Sequence, residues 1–442
     1  MKALSFAAVL LACSAMGQVG VAHHDPDLVG EPGPRPTKGV LLEIDIRGLN
    51  AALASAPLER LDAEFENYGT PLTLIGPDGQ GIEFFAVESP VMEPGLGAKF
   101  PEFKTYVLRS LDGGHAGRLE ITPRGVTAMI RAVTGGDAEG RGGTWMIDPW
   151  QSRDPAHAIV YWMRDLPGST DWECETIGDA EPLPTESGGY ADRFVQNRLT
   201  YRIAVACTGE YGAHHSALQG NPPNIADPLA AIVTVVARTN VVYEADLGVH
   251  FNLVANNDLL MFTDGTTDPY TSTCGGSGGT DCSGSILGEN PGVINGAIGS
   301  ANYDIGHCVT RIFGGVANLR CVCTNNKARG VSGIPRGGDV DPLSALVVIH
   351  EIGHQFGANH TFNGTRGRCA GNVNLPTGWE AGSGSTPMAY AGGCPVGDAP
   401  PSDNIVQFAE PYFHHGSYLE MNRFITGNGG SCAVSTPTAN DT

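Results

Sequence analysis

His350-Glu351-Ile352-Gly353-His354-Gln355-Phe356-Gly357-Ala358-Asn359-His360 is the stretch around which this chain is organised. Residues four apart share one face of a helix, so His350 and His354 can present two imidazoles to one metal ion. Glu351 stands beside the first of them, within reach of a water on that ion. Glycine readily takes the left-handed conformation of a sharp turn, so Gly357 is placed to end the helix and return His360 as a third nitrogen ligand. Three protein ligands and one open position make a catalytic zinc, whereas a structural zinc is closed by four. The short H-E-x-x-H pattern is weak alone; the added glycine and third histidine make it specific.

The flanks of the motif support a helix. Asp341-Pro342 reads as an N-cap followed by proline at the first helical position. Leu343, Leu346 and Val347 recur at helical spacing on the face that His350 and His354 continue, and Val348, Ile349 and Ile352 add apolar surface elsewhere. A mostly buried helix that delivers polar groups at its end needs partners for them, and a metal would be that partner.

The extended motif resembles that of the metzincin clan of zinc peptidases, and within it the bacterial reprolysin-like (adamalysin-like) family. Further segments carry the resemblance: Tyr201–Tyr211, Val254–Leu259, Ala301–His307, Lys327–Val331 and Asn359–Gly364. The clan has a methionine turn beneath the metal, and Gly384-Ser385-Thr386-Pro387-Met388-Ala389-Tyr390 matches it, with Met388 lying 28 residues after His360. The resemblance implies an α/β (α+β) catalytic domain with a mixed, mostly parallel sheet and an active-site helix. It implies one catalytic Zn2+ on His350, His354 and His360, Met388 packed under the histidines, and Glu351 as general base. Tyr390 follows the methionine by two residues, where some clan members place a tyrosine that approaches the metal; snake-venom-type reprolysins lack it.

The chain has 442 residues, enough for two or three domains, and 41% of them are hydrophobic. Its 47 acidic and 26 basic residues give a net charge of −21. That argues against nucleic-acid binding, which needs cationic surface. An acidic surface would suit calcium too, but no EF-hand loop of the usual spacing supports it.

Residues 1–22 read as a signal peptide: Lys2, an apolar run from Ala3 to Ala12, and Gly20-Val21-Ala22 as cleavage site. Leu10-Leu11-Ala12-Cys13 also resembles a bacterial lipoprotein box, which would leave Cys13 as a lipid anchor at the cell envelope. No apolar stretch is long enough for a transmembrane segment. Residues 23–38 form a flexible leader. Residues 39–165 form a β-rich domain, with strands expected at Leu42–Ile46, Leu72–Ile75, Ile82–Val87, Thr105–Leu108, Arg118–Thr122, Val126–Arg131, Thr144–Ile147 and Ala158–Trp162. Its position resembles that of a propeptide, which would cover the active site and act as an internal inhibitor; the rival is a permanent accessory domain. Residues 166–198 read as a linker, with an activation cut between Pro184 and Arg198. Cys174 lies in that linker, and in some relatives a propeptide cysteine fills the fourth zinc position; the alternative is a structural disulfide.

Residues 199–435 form the peptidase domain, followed by a tail, 436–442. Tyr201–Ala206 and His250–Ala255 read as strands, with a helix between them capped by Asp227. Residues 257–300 read as a long irregular loop, Ala301–His307 as the edge strand of the cleft, and Ser417–Ile425 as a helix. His307, His214, His215, His414 and His415 have no ligand spacing. Ten cysteines follow the signal, an even count that suggests disulfides in an oxidising compartment. Cys274–Cys282 and Cys369–Cys394 are the pairs expected, and Cys321 and Cys323 each pair elsewhere. The expected function is a secreted bacterial zinc endopeptidase acting on protein or peptide substrates through a zinc-activated water. The alternative is a non-catalytic zinc-binding adhesin or scaffold on the same fold.

Overall fold

The computed structural model describes residues 13–20, 33–133, 143–167, 174–177, 197–271, 280–311, 314–333, 342–394 and 403–439. The Asp341 cap, the Cys274–Cys282 pair, the activation cut and most of the leader lie outside the described residues. The chain divides into two units, Met1–Pro90 with Glu102–Leu166, and Val91–Pro101 with Pro167–Thr442.

In the first unit, alternating apolar and polar residues build nine antiparallel strands: β1 (Cys13–Gly20), β2 (Lys38–Ile44), β3 (Thr70–Ile75), β4 (Gly81–Glu88), β5 (Lys104–Ser110), β6 (His115–Thr122), β7 (Gly125–Ala132), β8 (Thr144–Pro149) and β9 (His157–Trp162). Their spatial order is β1-β2-β9-β8-β7-β6-β5-β4-β3. Leu72, Phe84, Leu108, Leu119, Ile121, Ile130 and Trp145 line one face, where Leu49 and Leu53 of helix α1 (Ile46–Leu53) join them. Between Leu119 and its neighbours, Arg118 and Glu120 point to the other face. There Arg118 donates to the Ser89 carbonyl (3.2 Å), and Glu120 accepts from Thr127 Oγ1 (2.6 Å). Every expected strand is present, but the first ends early. Asp45 accepts from the Gly48 N–H (2.9 Å) and so starts α1, where a strand to Ile46 was expected. Two boundaries differ also. Cys13–Gly20, expected within the signal, pairs with β2 at the sheet edge, and Val91–Pro101 belongs to the second unit.

The second unit has a mixed sheet. Its strands are β10 (Cys174–Ile177), β11 (Asn197–Cys207), β12 (Val249–Leu253), β13 (Ile305–Thr310), β14 (Gly315–Asn318), β15 (Gly330–Gly333) and β16 (Val434–Pro437). The order is β10-β14-β15-β13-β11-β12, with β16 on β11. β12, β11, β13 and β15 run parallel, β14 is antiparallel to β15, and β10 is parallel to β14. Val91–Pro101, with its single helical turn α2 (Pro94–Gly97), lies beside β12: Leu253 N–H donates to Val91 and Glu93 N–H to Leu253, both at 2.8 Å.

The helices are α3 (Gly209–Leu218), α4 (Ala226–Leu247), α5 (Thr280–Ile298), α6 (Pro342–Gln355) and α7 (His415–Thr426). α4 is apolar almost all round and correspondingly buried. Asp227 lies inside its first turn, the N-cap position is Ile225, and Asn224 Oδ1 accepts from the Ala226 and Asp227 N–H groups at 3.0 and 3.1 Å. It ends at Gly248, in the left-handed region at φ 63°. Tyr243 on α4 donates to the Ile349 carbonyl of α6 at 3.0 Å, and its ring packs on Phe251, Phe356 and Phe413 with centroids 5.1–5.9 Å apart.

Four expectations need correction here. Part of the supposed loop 257–300 is helix α5. Its glycines, Gly284, Gly288, Gly292 and Gly296, form one open stripe, while Ile286, Leu287, Ile294 and Ile298 are buried. The edge strand is not Ala301–His307, because β13 lies between β15 and β11; β14 is the outer strand onto which β10 adds. The tail begins inside β16, and the linker contains β10. Among the described cysteines, Cys369–Cys394 pairs as expected and Cys323 pairs with Cys432. Cys207, Cys308 and Cys321 are buried thiols, whose sulfur packs as a small apolar group.

Gly248→Ala puts a Cβ on a left-handed residue and is expected to destabilise the chain by about 1–2 kcal/mol, read as a lower denaturation midpoint with unchanged slope.

Candidate metal centre

α6 ends at Gln355, one residue after His354. The turn that follows depends on Gly357, at φ 99°, where a Cβ would also come within 2.6 Å of Arg320 Cγ. His360 is thereby returned to the two helical histidines. His354 Nε2 lies 3.0 Å from His350 Nε2, which lies 3.3 Å from His360 Nε2. Each ring's other nitrogen donates to a backbone carbonyl: His350 to Pro387 (2.6 Å), His354 to Ala358 (2.7 Å), His360 to Asn372 (2.8 Å). Those bonds place the proton on Nδ1 and leave three Nε2 lone pairs facing one another. Burial, with the neighbouring imidazoles, pushes the pKa of His350 and His354 well below the usual value, and burial brings His360 to about 4. Burial thus disfavours relieving the repulsion by protonation, whereas a cation would relieve it. Ligands at about 2.0–2.1 Å around a tetrahedral zinc are about 3.3–3.4 Å apart, so the donor set fits that ion.

Glu351 is fully buried, and neither of its oxygens has a hydrogen-bond partner among the described residues. Burial raises its pKa well above the carboxylate range; the nearby Cys174 thiol offsets only part of that. Room for the carboxylate comes from Gly315 on β14, where a Cβ would stand 2.0 Å from Glu351 Oε1. Met388 is fully buried against the helix, since a Cβ at Gly353 would lie 2.4 Å from its sulfur. The turn that carries it supports both ends of the ligand set: Pro387 accepts from His350, and the Met388 carbonyl accepts from Thr361 N–H at 3.1 Å.

β10 brings Cys174 opposite Gly315. Its sulfur lies 3.4 Å from His354 Nε2, and the ligand atoms of Cys174, His350, His354 and His360 all fall within 4.8 Å of one another. Cys174 is thus in reach of the same point as the three histidines and is not half of a disulfide. Tyr390 hydroxyl accepts from Cys174 N–H (2.9 Å) and donates to Cys174 C=O (2.5 Å), while its ring lies 4.9 Å from that of His360. Beside the third ligand, a cavity of about 550 Å³ is lined by His360, Asn372, Val373, Asn374, Leu375 and Pro376.

The remaining histidines are held in other ways. His307 is buried between Gln355 (3.0 Å) and Ser332 (2.8 Å), His215 packs on Tyr211, and His414 caps α7. Sequence reasoning missed Gly315 and the carboxylates of Glu380 and Glu420. Glu420 accepts from the backbone and side chain of Asn359 at 2.9 and 2.6 Å, next to His360. Only the glycine left a local trace, in Gly314-Gly315 before a short apolar run.

Residues 197–404 match the family described as metallo-peptidase family M12B, reprolysin-like. Among solved structures, the chain is similar to metalloproteinase-II from Bacteroides fragilis, with a TM-score of 0.42 and 12% identity, covering 86% of this chain and 96% of that one. The curated proteins contain no match to it. The histidine cluster lies within residues 197–404, the part of the chain that matches the reprolysin-like metallo-peptidases of family M12B.

Proposed function

We propose that the chain is a secreted zinc endopeptidase made in a latent form. The observation that carries this is the convergence of three deprotonated Nε2 atoms beside a buried carboxylate that has no hydrogen-bond partner among the described residues. His350, His354 and His360 would hold the ion. When bound, it would lower the pKa of water toward about 7 and polarise the scissile carbonyl. Glu351, unpaired and held in its pocket by Gly315, takes the proton of the attacking water and passes it to the leaving amine nitrogen. The cavity beside His360 receives a substrate side chain, and β14 offers its backbone to an extended peptide. A zinc-binding scaffold without catalysis gives no reason to bury an unpaired carboxylate, whose desolvation is costly.

Latency rests on Cys174. Its sulfur would supply a fourth ligand atom to the ion while β10 pairs with β14, so one segment would block both the ion and the substrate strand. The same segment holds the Tyr390 hydroxyl through both polar groups of the Cys174 peptide. Withdrawal of β10 after cleavage between Pro184 and Arg198 would open all three at once, so that the Tyr390 hydroxyl could donate to the developing oxyanion. The N-terminal unit would then be a propeptide. Two disulfides and the apolar run Ala3–Ala12 support export, and among the described residues no helix is long and apolar enough to cross a membrane.

Glu351→Gln is expected to keep one zinc per chain and to lower kcat on a peptide library by about 10²–10⁴-fold; wild-type turnover in this variant would remove Glu351 from the mechanism. Cys174→Ala in the full chain, which removes the thiol but leaves β10 on β14, is expected to cleave short peptides slowly where the uncut parent leaves them intact, read by mass spectrometry. Equal inactivity of the two, with activity appearing on linker cleavage, would show that the thiol is not what imposes latency. A zinc chelator should abolish turnover of the activated enzyme, and added zinc should restore it.

A further inference from the structure

Glu380 lies between the third-ligand loop and the methionine turn, and neither the motif nor the mechanism above uses it. Its side chain is almost completely buried. Oε1 accepts from Ser385 N–H (2.8 Å), Ser385 Oγ (3.2 Å) and Thr386 N–H (3.1 Å). Oε2 accepts from Thr386 Oγ1 (2.5 Å) and from Thr361 Oγ1. Five uncharged donors on two chain segments therefore converge on one carboxylate. The backbone repeats the link, because Glu380 N–H donates to Thr361 C=O (2.8 Å) and Asn363 N–H to Glu380 C=O (3.0 Å).

Both segments bear directly on metal ligands. Thr361 follows His360 in the chain. Ser385 and Thr386 precede Pro387, whose carbonyl accepts from His350 Nδ1. Thr361 N–H in turn donates to Met388 C=O, so the two segments and the carboxylate form a closed frame. We propose that Glu380 is a positioning residue for the metal: it sets the distance between the supports of the first and third ligands and so tunes the affinity for zinc. The inference rests on the zinc reading above and adds a residue that touches neither ion nor substrate.

A charged acceptor is suited to this role. Hydrogen bonds to an ionised group are roughly twice as strong as neutral ones, and a carboxylate offers about four lone-pair sites. An amide in its place keeps one acceptor oxygen and turns two N–H donors toward donors that then lack partners. Support of this kind around metal ligands is commonly worth 10–100-fold in metal affinity.

The test measures zinc dissociation of the full chain by competition with a chelator for parent, Glu380→Gln and Thr361→Val, together with the thermal midpoint of each apo form. The expected result is a zinc affinity about 10–100-fold weaker for Glu380→Gln and a smaller loss for Thr361→Val, which removes one hydroxyl and keeps the volume. Cobalt-substituted forms should show an altered visible spectrum in both variants. If Glu380→Gln does not fold, Thr361→Val decides alone: affinity within twofold of the parent overturns the proposal. Lower apo stability in both variants with parental zinc affinity and an unchanged cobalt spectrum overturns it too, leaving Glu380 a fold residue only. A parent chain that binds no zinc removes the zinc reading, and this inference with it, whereas parental binding with indifferent variants removes this inference alone.

Discussion

Three imidazole nitrogens face one another across 3.0–3.3 Å with their protons committed elsewhere. With the Nδ1 protons so committed the Nε2 lone pairs repel one another, and burial disfavours charging the rings. The rest of the second unit reads as the means of holding this set until a cation joins it. Residues 344–355 of α6 are buried without exception, so packing fixes the helix on all sides. Tyr243 and the surrounding aromatic rings lock it to α4. The carbonyls of Pro387, Ala358 and Asn372 come from three different segments, and each orients one ring.

Glycines mark the places where this packing is closest. At Gly315 the missing side chain makes room for Glu351, and at Gly353 it admits the sulfur of Met388 beneath the helix. Any Cβ at either position would displace a group that the site uses. The left-handed turn at Gly357 serves a separate purpose, reversing the chain so that His360 meets His350 and His354, ten and six residues before it. These are backbone and steric requirements, and together they make the site geometry a consequence of the fold.

The helix and the clustering of its histidines were legible because their spacing is local: four residues from His350 to His354, a glycine, and then His360. The β-rich unit was legible through strict alternation, as in Leu119 and Ile121 around Glu120. What escaped depends on tertiary contact or on misleading composition. Cys174 is 180 residues from His354 and reaches it only because β10 joins β14. The resemblance raised it as a candidate, while the residues themselves left a disulfide equally open. α5 was hidden by its glycines, whose four-residue period is itself helical, with the buried Ile286, Leu287, Ile294 and Ile298 on its other side. Cys207, Cys308 and Cys321 show that an even cysteine count is a weak guide to pairing when several thiols serve as core. Glu380 had no signature at all, since its partners are backbone groups brought to it by the turn.

In the proposed mechanism latency and catalysis share the same atoms: Cys174 would close the position that the attacking water needs, and its peptide hydrogen-bonds the Tyr390 hydroxyl. The most direct measurement is zinc-edge X-ray absorption on the uncut full-length protein. The account predicts one zinc per chain with three nitrogen neighbours and one sulfur, at about 2.0–2.1 Å and about 2.3 Å. A first shell of nitrogen and oxygen alone, with no sulfur, would contradict it.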